Sequence, residues 1–253
     1  MKLAHFIPCR MGSTRLAGKP LLDICGLPMF AHVYFRTKLI YDNVMVCTPD
    51  KEIKEKCEEL RINYCMTSHD HVNGTERIAE AARAFNLQDD DIIVNVQGDD
   101  PLVLPEDIQK LTSYHSHTPD TGMVIPHIVK KDIISNTLSI KMVTNSQDRV
   151  LYMSRNMIPS NYREKLEYKK HLSIYSFRND ALQLFAISPE TDLERSEACE
   201  GLRAMELDIK VKTFALENEY TPVDVKDQYY QVCRTMENDL TFLNNYVEKV
   251  HNA

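Results

Sequence analysis

The sequence predicts an α/β protein: a mostly parallel, twisted sheet with helices on both faces, plus an antiparallel insertion. Three observations predict it. Short apolar runs alternate with helix-patterned segments through the first half of the chain. The first of those runs stops at Pro8, before a loop that combines glycines with arginines. From about residue 120 the alternation gives way to successive strand-like runs with little helix between them.

The elements follow in order. "LAHFIP" reads as the first strand, and "PMFAHVYFRTKLI" as a helix with apolar spacing of about 3.6 residues. "NVMVCTP" is a strand and "KEIKEKCEELR" a charged amphipathic helix. "INYCMTS" is a strand, "TERIAEAARAF" a helix, and "DIIVNVQG" a buried strand. "PEDIQKLTSYH" is a helix with Pro105 in its first turn. In the insertion, over residues 120–180, "TGMVIPHIV", "LSIKMVTN" and "HLSIYSF" read as strands. "ERSEACEGLRAMEL" returns to helix and "IKVKTFAL" to strand, and one long terminal helix is expected from about Val225. No internal repeat or long linker divides the chain, so residues 1–253 are expected to form a single domain.

Composition bounds the function. A hydrophobic content of 43% with 26% charged residues is that of an ordinary globular chain. A net charge of −7 leaves no basic surplus for a nucleic-acid backbone, so any anion site must be a local cluster of Arg and Lys. The seven cysteines are scattered and lack a CxxC pair, which points to free thiols in a reducing cytoplasm. No apolar stretch reaches membrane-spanning length, so no membrane insertion is expected.

The opening loop, "PCRMGSTRLAGKP", is the first candidate for chemistry. Arg10, Arg15 and Lys19 accompany Gly12, Ser13 and Gly18, whose small size lets backbone N–H groups approach an anion. Such a set suits a polyphosphate; a solvated turn is the competing reading. It is not a P-loop, because Lys19 precedes Pro20 instead of a metal-holding Ser or Thr. Ligands of an open α/β sheet bind beyond the C-terminal strand ends, where this loop and "QGDD" both emerge. Neighbouring side chains on extended backbone point oppositely, so one of Asp99 and Asp100 should bind a metal ion and the other cap a turn. In "NGTERIAE", Asn73 and Thr75 can cap a helix, or the segment can hold a base or ribose; the residues leave both open. Arg155, His171 and Glu200 are isolated polar residues on packed elements. His171 beside Lys169 and Lys170 would suit a carboxylate substrate.

In this order the segments resemble the CMP-Kdo synthetases, the 3-deoxy-manno-octulosonate cytidylyltransferases, over nearly the whole chain. "IPCRMGSTRLAGKPLLDICGLPMFAHVY" is similar to that family's N-terminal nucleotide-binding signature, with Cys9 and Ala17 where Ala and Pro are usual. "NGTERIAE", "IVNVQGDDPLV", "YMSRNMIP", "KKHLSIYSFR" and "CEGLRAMEL" are similar to its further motifs. The resemblance implies a nucleotide-diphospho-sugar transferase-like fold and transfer of CMP from CTP to a 3-deoxy-2-ulosonic acid, with Mg²⁺ as cofactor. By position it implies that Arg10, Arg15, Lys19 and Asp99 are catalytic. Pro8, Arg10, Gly12, Ser13, Lys19, Asn73, Gly74, Thr75, Arg77 and Gln97 would hold the nucleotide. Gln97, Arg155, His171, Tyr175 and Glu200 would meet the sugar, and Asp99 and Asp224 the metal. Asp224 rests on aligning "VDVKDQYYQV" with a late family segment; the competing register puts Tyr220 there, and only a carboxylate suits a hard cation. The resemblance further implies a homodimer through the insertion. Two departures bear on the sugar: Gly201 stands where the family has Gln, and Ser173 where Gly is usual. A modified Kdo or a nonulosonic acid is therefore an alternative substrate. A nucleotide-sugar glycosyltransferase and a non-catalytic nucleotide-binding subunit are the other readings. The first would carry a DxD motif, for which "GDD" is a poor match, and the second has no need of a metal set.

Overall fold

Period-two alternation in the first strand builds two cores at once. The computed structural model describes residues 1–13, 15–131 and 139–246. Strand β1 (Leu3–Pro8) sends Ala4 and Phe6 to one face and Leu3 and Ile7 to the other. The chain then forms a short 3-10 helix (Lys19–Leu21) and a small hairpin of β2 (Asp23–Ile24) and β3 (Leu27–Pro28). There follow α1 (Met29–Lys38), β4 (Val44–Thr48), α2 (Lys51–Glu59), β5 (Tyr64–Met66), α3 (Gly74–Ala84), β6 (Ile92–Asn95) and α4 (Pro105–Ser116).

The second half supplies β7 (Met123–Val124), β8 (His127–Lys130), β9 (Lys141–Thr144), β10 (Val150–Ser154), β11 (Tyr168–His171) and β12 (Tyr175–Arg178). After these come α5 (Asn179–Ile187), α6 (Asp192–Glu197), α7 (Glu200–Glu206), β13 (Val211–Lys212), α8 (Lys226–Met236) and α9 (Leu240–Asn245).

The main sheet runs β13-β7-β12-β6-β1-β4-β5, seven strands in all, with β12 antiparallel to both its neighbours and every other pairing parallel. Apolar side chains of α1, α2 and α4 pack on one face, and those of α3, α5 and α7 on the other. The fold is thus the expected mixed α/β one. A second, antiparallel sheet of four strands, β10-β9-β11-β8, lies beside it.

Several details differ from the sequence reading. "TGMVIPHIV" is two strands in different sheets, parted around Pro126, and "HLSIYSF" divides in the same way between β11 and β12. Strand β10 and helix α5 were not expected. The helix through "ERSEACEGLRAMEL" breaks at Ala198, whose φ of 45° is left-handed. The terminal helix stops at Met236, and α9 restarts where the Asp239 carboxylate accepts the Phe242 N–H at 2.9 Å. The rest of that expected helix lies outside the described residues. Among the described residues no helix is long and apolar enough to cross a membrane.

Candidate active site

The C-terminal ends of β1 and β6 open onto one cavity of about 440 Å³. It is lined by Pro8, Arg10, Gly12, Ser13, Arg15 and Lys19 from the opening loop; by Asn73, Gly74 and Arg77 from the start of α3; and by Gln97, Asp99, Glu200 and Asp224. Cys9, Pro20, Val72 and Gly98 complete it. Residues far apart in sequence meet here because parallel strands put successive loops at one edge.

The loop is anchored from outside and braced within. Met11 N–H donates to the Asp50 carboxylate at 2.8 Å, and Leu16 N–H donates to Ser13 Oγ of the loop itself at 3.3 Å. Gly18 takes the left-handed conformation (φ 65°) that turns the chain into the 3-10 helix, so Lys19 points back to the cavity. Its ammonium lies 2.6 Å from Asp99 Oδ2 and 3.1 Å from Asp224 Oδ1. Arg15 reaches the same Asp224 oxygen at 2.9 Å. Burial works against the Lys19 charge, but Asp99 and Asp224 outweigh it and its pKa lies above the ordinary value.

Asn73 both caps α3, its side chain accepting the Glu76 N–H at 2.8 Å, and lines the cavity. The two readings of that segment are compatible. Thr75, by contrast, is no cap. It is fully buried inside the helix, and its hydroxyl bonds Tyr175 OH at 2.8 Å and donates to the Glu200 carboxylate. Tyr175 OH also donates to Glu200 at 3.0 Å and accepts from Gln97 Nε2 at 3.1 Å. Burial raises the Glu200 pKa, and burial together with Glu200 raises that of Tyr175 well above its ordinary range. Arg77 is buried and donates to Thr67 Oγ1 and the Ser68 carbonyl at 2.7 and 3.0 Å. Burial lowers its pKa, and the Arg10 charge adds to the effect.

Asp99 and Asp100 have separate fates. Asp99 faces the cavity, whereas Asp100 is fully buried and accepts from Ser173 Oγ. Burial, with the Asp99 charge beside it, pushes the Asp100 pKa to about 8. Arg155 and His171 do not line the cavity. Arg155 donates through Nε to the Glu197 carbonyl at 2.5 Å and through Nη2 to that of Ala198 at 3.0 Å, so it grips the link into α7. Desolvation, with Arg155 and Lys170 nearby, lowers the His171 pKa to about 4. The structure therefore joins the nucleotide set to Gln97 and Glu200 directly, to Thr75 and Tyr175 by hydrogen bonds, and leaves Arg155 and His171 beside them.

Several contributors escaped the sequence reading. Arg203, 1% exposed, pairs with Glu194 at 2.5 Å and Glu76 at 3.0 Å and so fixes α7 against α3. Gln228 Oε1 accepts the Asp224 N–H at 2.8 Å. Arg203 carries no local signal, because its partners lie on α6 and α3, whereas Gln228 stands at the third position of α8, where a Gln caps a helix start. Gly201 is buried, and a Cβ there would stand 2.7 Å from Met153 Sδ and 3.1 Å from Ile125 Cδ1. Met153 occupies the space that a side chain at this position would need.

The cytidylyltransferase family profile matches residues 4–213. The chain belongs to the cytidylyltransferase family. It is an enzyme of the nucleotidyltransferase class. A 3-deoxy-manno-octulosonate cytidylyltransferase of Syntrophus aciditrophicus is 36% identical over 91% of this chain and 96% of its own. An 8-amino-3,8-dideoxy-manno-octulosonate cytidylyltransferase of a Shewanella strain is 39% identical over 84% of this chain and 89% of its own. Among solved structures, CMP:2-keto-3-deoxy-manno-octonic acid synthetase complexed with CTP matches with a TM-score of 0.86 and 33% identity. That match covers 94% of this chain and 99% of the other.

Two carboxylates on one cavity wall suit a hard divalent cation. The donor set supports this, since Asp99 and Asp224 already share one cationic group, the Lys19 ammonium. No cluster of three or more His, Cys, Asp or Glu suited to a metal occurs among the described residues. Substrate oxygens and water would have to complete the coordination.

Proposed function

We propose that this cytidylyltransferase uses CTP to activate a 3-deoxy-2-ulosonic acid, with 3-deoxy-manno-octulosonate (Kdo) as the substrate. The sugar's anomeric hydroxyl gives up its proton to solvent as its oxygen bonds to the α-phosphorus, the bond from that phosphorus to the oxygen bridging the β-phosphate breaks, and CMP-sugar and pyrophosphate result. The observation that carries the reading is the union, in one cavity, of a basic loop, two carboxylates, and Gln97 and Glu200, which the buried Tyr175 joins by hydrogen bonds from behind.

Arg10, Arg15 and Lys19 hold the triphosphate and take up charge from the leaving pyrophosphate. Asn73, Gly74 and Arg77 hold the nucleoside. Gly74 keeps the α3 terminus open there, since a Cβ would approach Pro8 Cγ to 3.0 Å. Gln97 and Glu200 orient the sugar hydroxyls with Tyr175 behind them, and Arg155, off the cavity, holds the Glu197–Ala198 link that leads to Glu200. Asp99 and Asp224 would hold Mg²⁺, which when bound neutralises phosphate charge and acidifies the attacking hydroxyl. Their fit is the shared cation just described.

The second sheet supports a homodimer as part of this reading: its strands β10 and β8 expose Leu151 at 55% and Val129 at 43%. Light scattering at micromolar concentration tests it, and a monomer mass would remove it. Seven free cysteines support a cytoplasmic location.

The experiment for the activity is pyrophosphate release with CTP, Mg²⁺ and a panel of Kdo, its 8-amino analogue and a nonulosonic acid. Release with Kdo at the highest kcat/KM is expected. Release with another sugar alone would replace the substrate, and release with none would overturn the reading. The panel matters because Met153 fills the position where Gly201 could otherwise have carried an amide.

A further inference from the structure

Lys19 reaches both carboxylates that stand at the metal position. Its Nζ is 2.6 Å from Asp99 Oδ2 and 3.1 Å from Asp224 Oδ1, and its side chain is only 13% exposed. A bare Mg²⁺ would need oxygens at about 2.0–2.1 Å, drawn from the same two carboxylates. The ammonium and a divalent ion would carry charge into one small space, so the two cannot share it. The 3-10 helix starting at Lys19 fixes its backbone, with Leu22 N–H bonded to the Lys19 carbonyl at 3.2 Å. The side chain alone is left to move.

We propose that Lys19 is a built-in placeholder cation: its ammonium and the divalent metal compete for Asp99 and Asp224, and a nucleotide triphosphate admits the metal by drawing the ammonium onto its own oxygens. The inference rests on the metal assignment made under Proposed function and adds an order to it. Metal enters with the triphosphate or after it. The arrangement keeps two adjacent carboxylates neutralised throughout and ties metal loading to the presence of the leaving group. Arg15 is a lesser competitor, because it touches only Asp224 and is 60% exposed.

The test is binding of Mn²⁺ alone, without nucleotide, followed by the electron paramagnetic resonance signal of the free ion. Lys19→Met is expected to bind Mn²⁺ on the order of tenfold more tightly than the parent protein, since the competing charge is gone. Lys19→Gln, which keeps a polar side chain, should show the same gain; Arg15→Met should show less. The gain should vanish in Lys19→Met/Asp99→Asn. Circular dichroism and urea melts confirm that each variant is folded. If both Lys19 variants fold and bind Mn²⁺ no more tightly than the parent, the placeholder role is overturned. The metal assignment then still stands if Asp99→Asn abolishes Mg²⁺-dependent pyrophosphate release. If Lys19→Met gains affinity and Asp99→Asn does not remove it, the ion binds elsewhere and both inferences fall.

Discussion

The backbone N–H of Val223 donates to the carbonyl of Asp99 at 2.9 Å. That single hydrogen bond lays the segment before α8 along the end of β6, and it brings the Asp224 side chain to the cavity wall that Asp99 occupies. Gln228 holds the same segment from the other side through the amides of Asp224 and Val225 at 2.8 and 3.0 Å. The alternative residue for that role, Tyr220, is 7% exposed and does not line the cavity.

Asp99→Asn and Asp224→Asn should each lower turnover by about 100-fold or more, equivalent to roughly 3 kcal/mol of barrier, while leaving the fold intact. Pyrophosphate release at saturating CTP measures it. An active Asp224→Asn protein would show that the carboxylate at this position holds no metal.

Gly98 is required by close approach. Its Cβ would stand 2.5 Å from Cys9 Sγ and 3.1 Å from the Pro8 carbonyl. Gly98→Ala should cost about 1–3 kcal/mol of stability, the usual range for overpacking. Adding Cys9→Ala removes the worst contact, so in urea titrations the pair should cost less than the sum of the singles. Strict additivity would mean that the strain lies in the backbone.

Gly201 reports on Met153 in a similar way. An exposed helical Gly→Ala change stabilises by about 1 kcal/mol, but here Met153 Sδ would sit 2.7 Å from the new carbon. Gly201→Gln should therefore lower the melting temperature. Gly201→Gln combined with Met153→Ala should recover much of the loss, because volume is roughly conserved.

Acid should loosen the core through buried histidines. His115 Nε2–H donates to the Thr121 carbonyl at 3.0 Å, and Nδ1 accepts from Ser176 Oγ at 2.7 Å, so the neutral ring is satisfied. Burial lowers its pKa from 6.5 to about 4. Because the folded value is the lower one, the contribution is complete above pH 6.5 and is lost as pH falls toward 4. A shift of that size corresponds to about 3 kcal/mol at most. Urea midpoints across this range should fall with acid, and His115→Gln should flatten the slope.

Much of the fold was legible because its signals are local. The alternation of apolar runs with helical spacing gave β1, β4, β5 and β6 and their helices, and that alternation requires a parallel sheet with its loops at one edge. The same logic put the basic loop and "QGDD" together. Helix α5 is hard to read in sequence because it follows β12 directly, and its opening residues Asn179 and Asp180 suit a turn as well as a helix start. The terminal segment reads as one unbroken helix because Asp239 caps α9 within a pattern that stays helical on both sides.

By itself, then, the sequence determined the alternation of strands and helices, the basic loop after β1 and the acidic end of β6. All three follow from periodicities and residue types within a few positions of each other. Only the tertiary structure decided which distant groups complete the site. It brought Asp224 to Asp99 through a backbone hydrogen bond, sent Asp100 inward to Ser173, and set Thr75 against Tyr175 and Glu200. It also closed the space at Gly201 with Met153. These pairings depend on where whole strands and helices pack, and no local pattern encodes that.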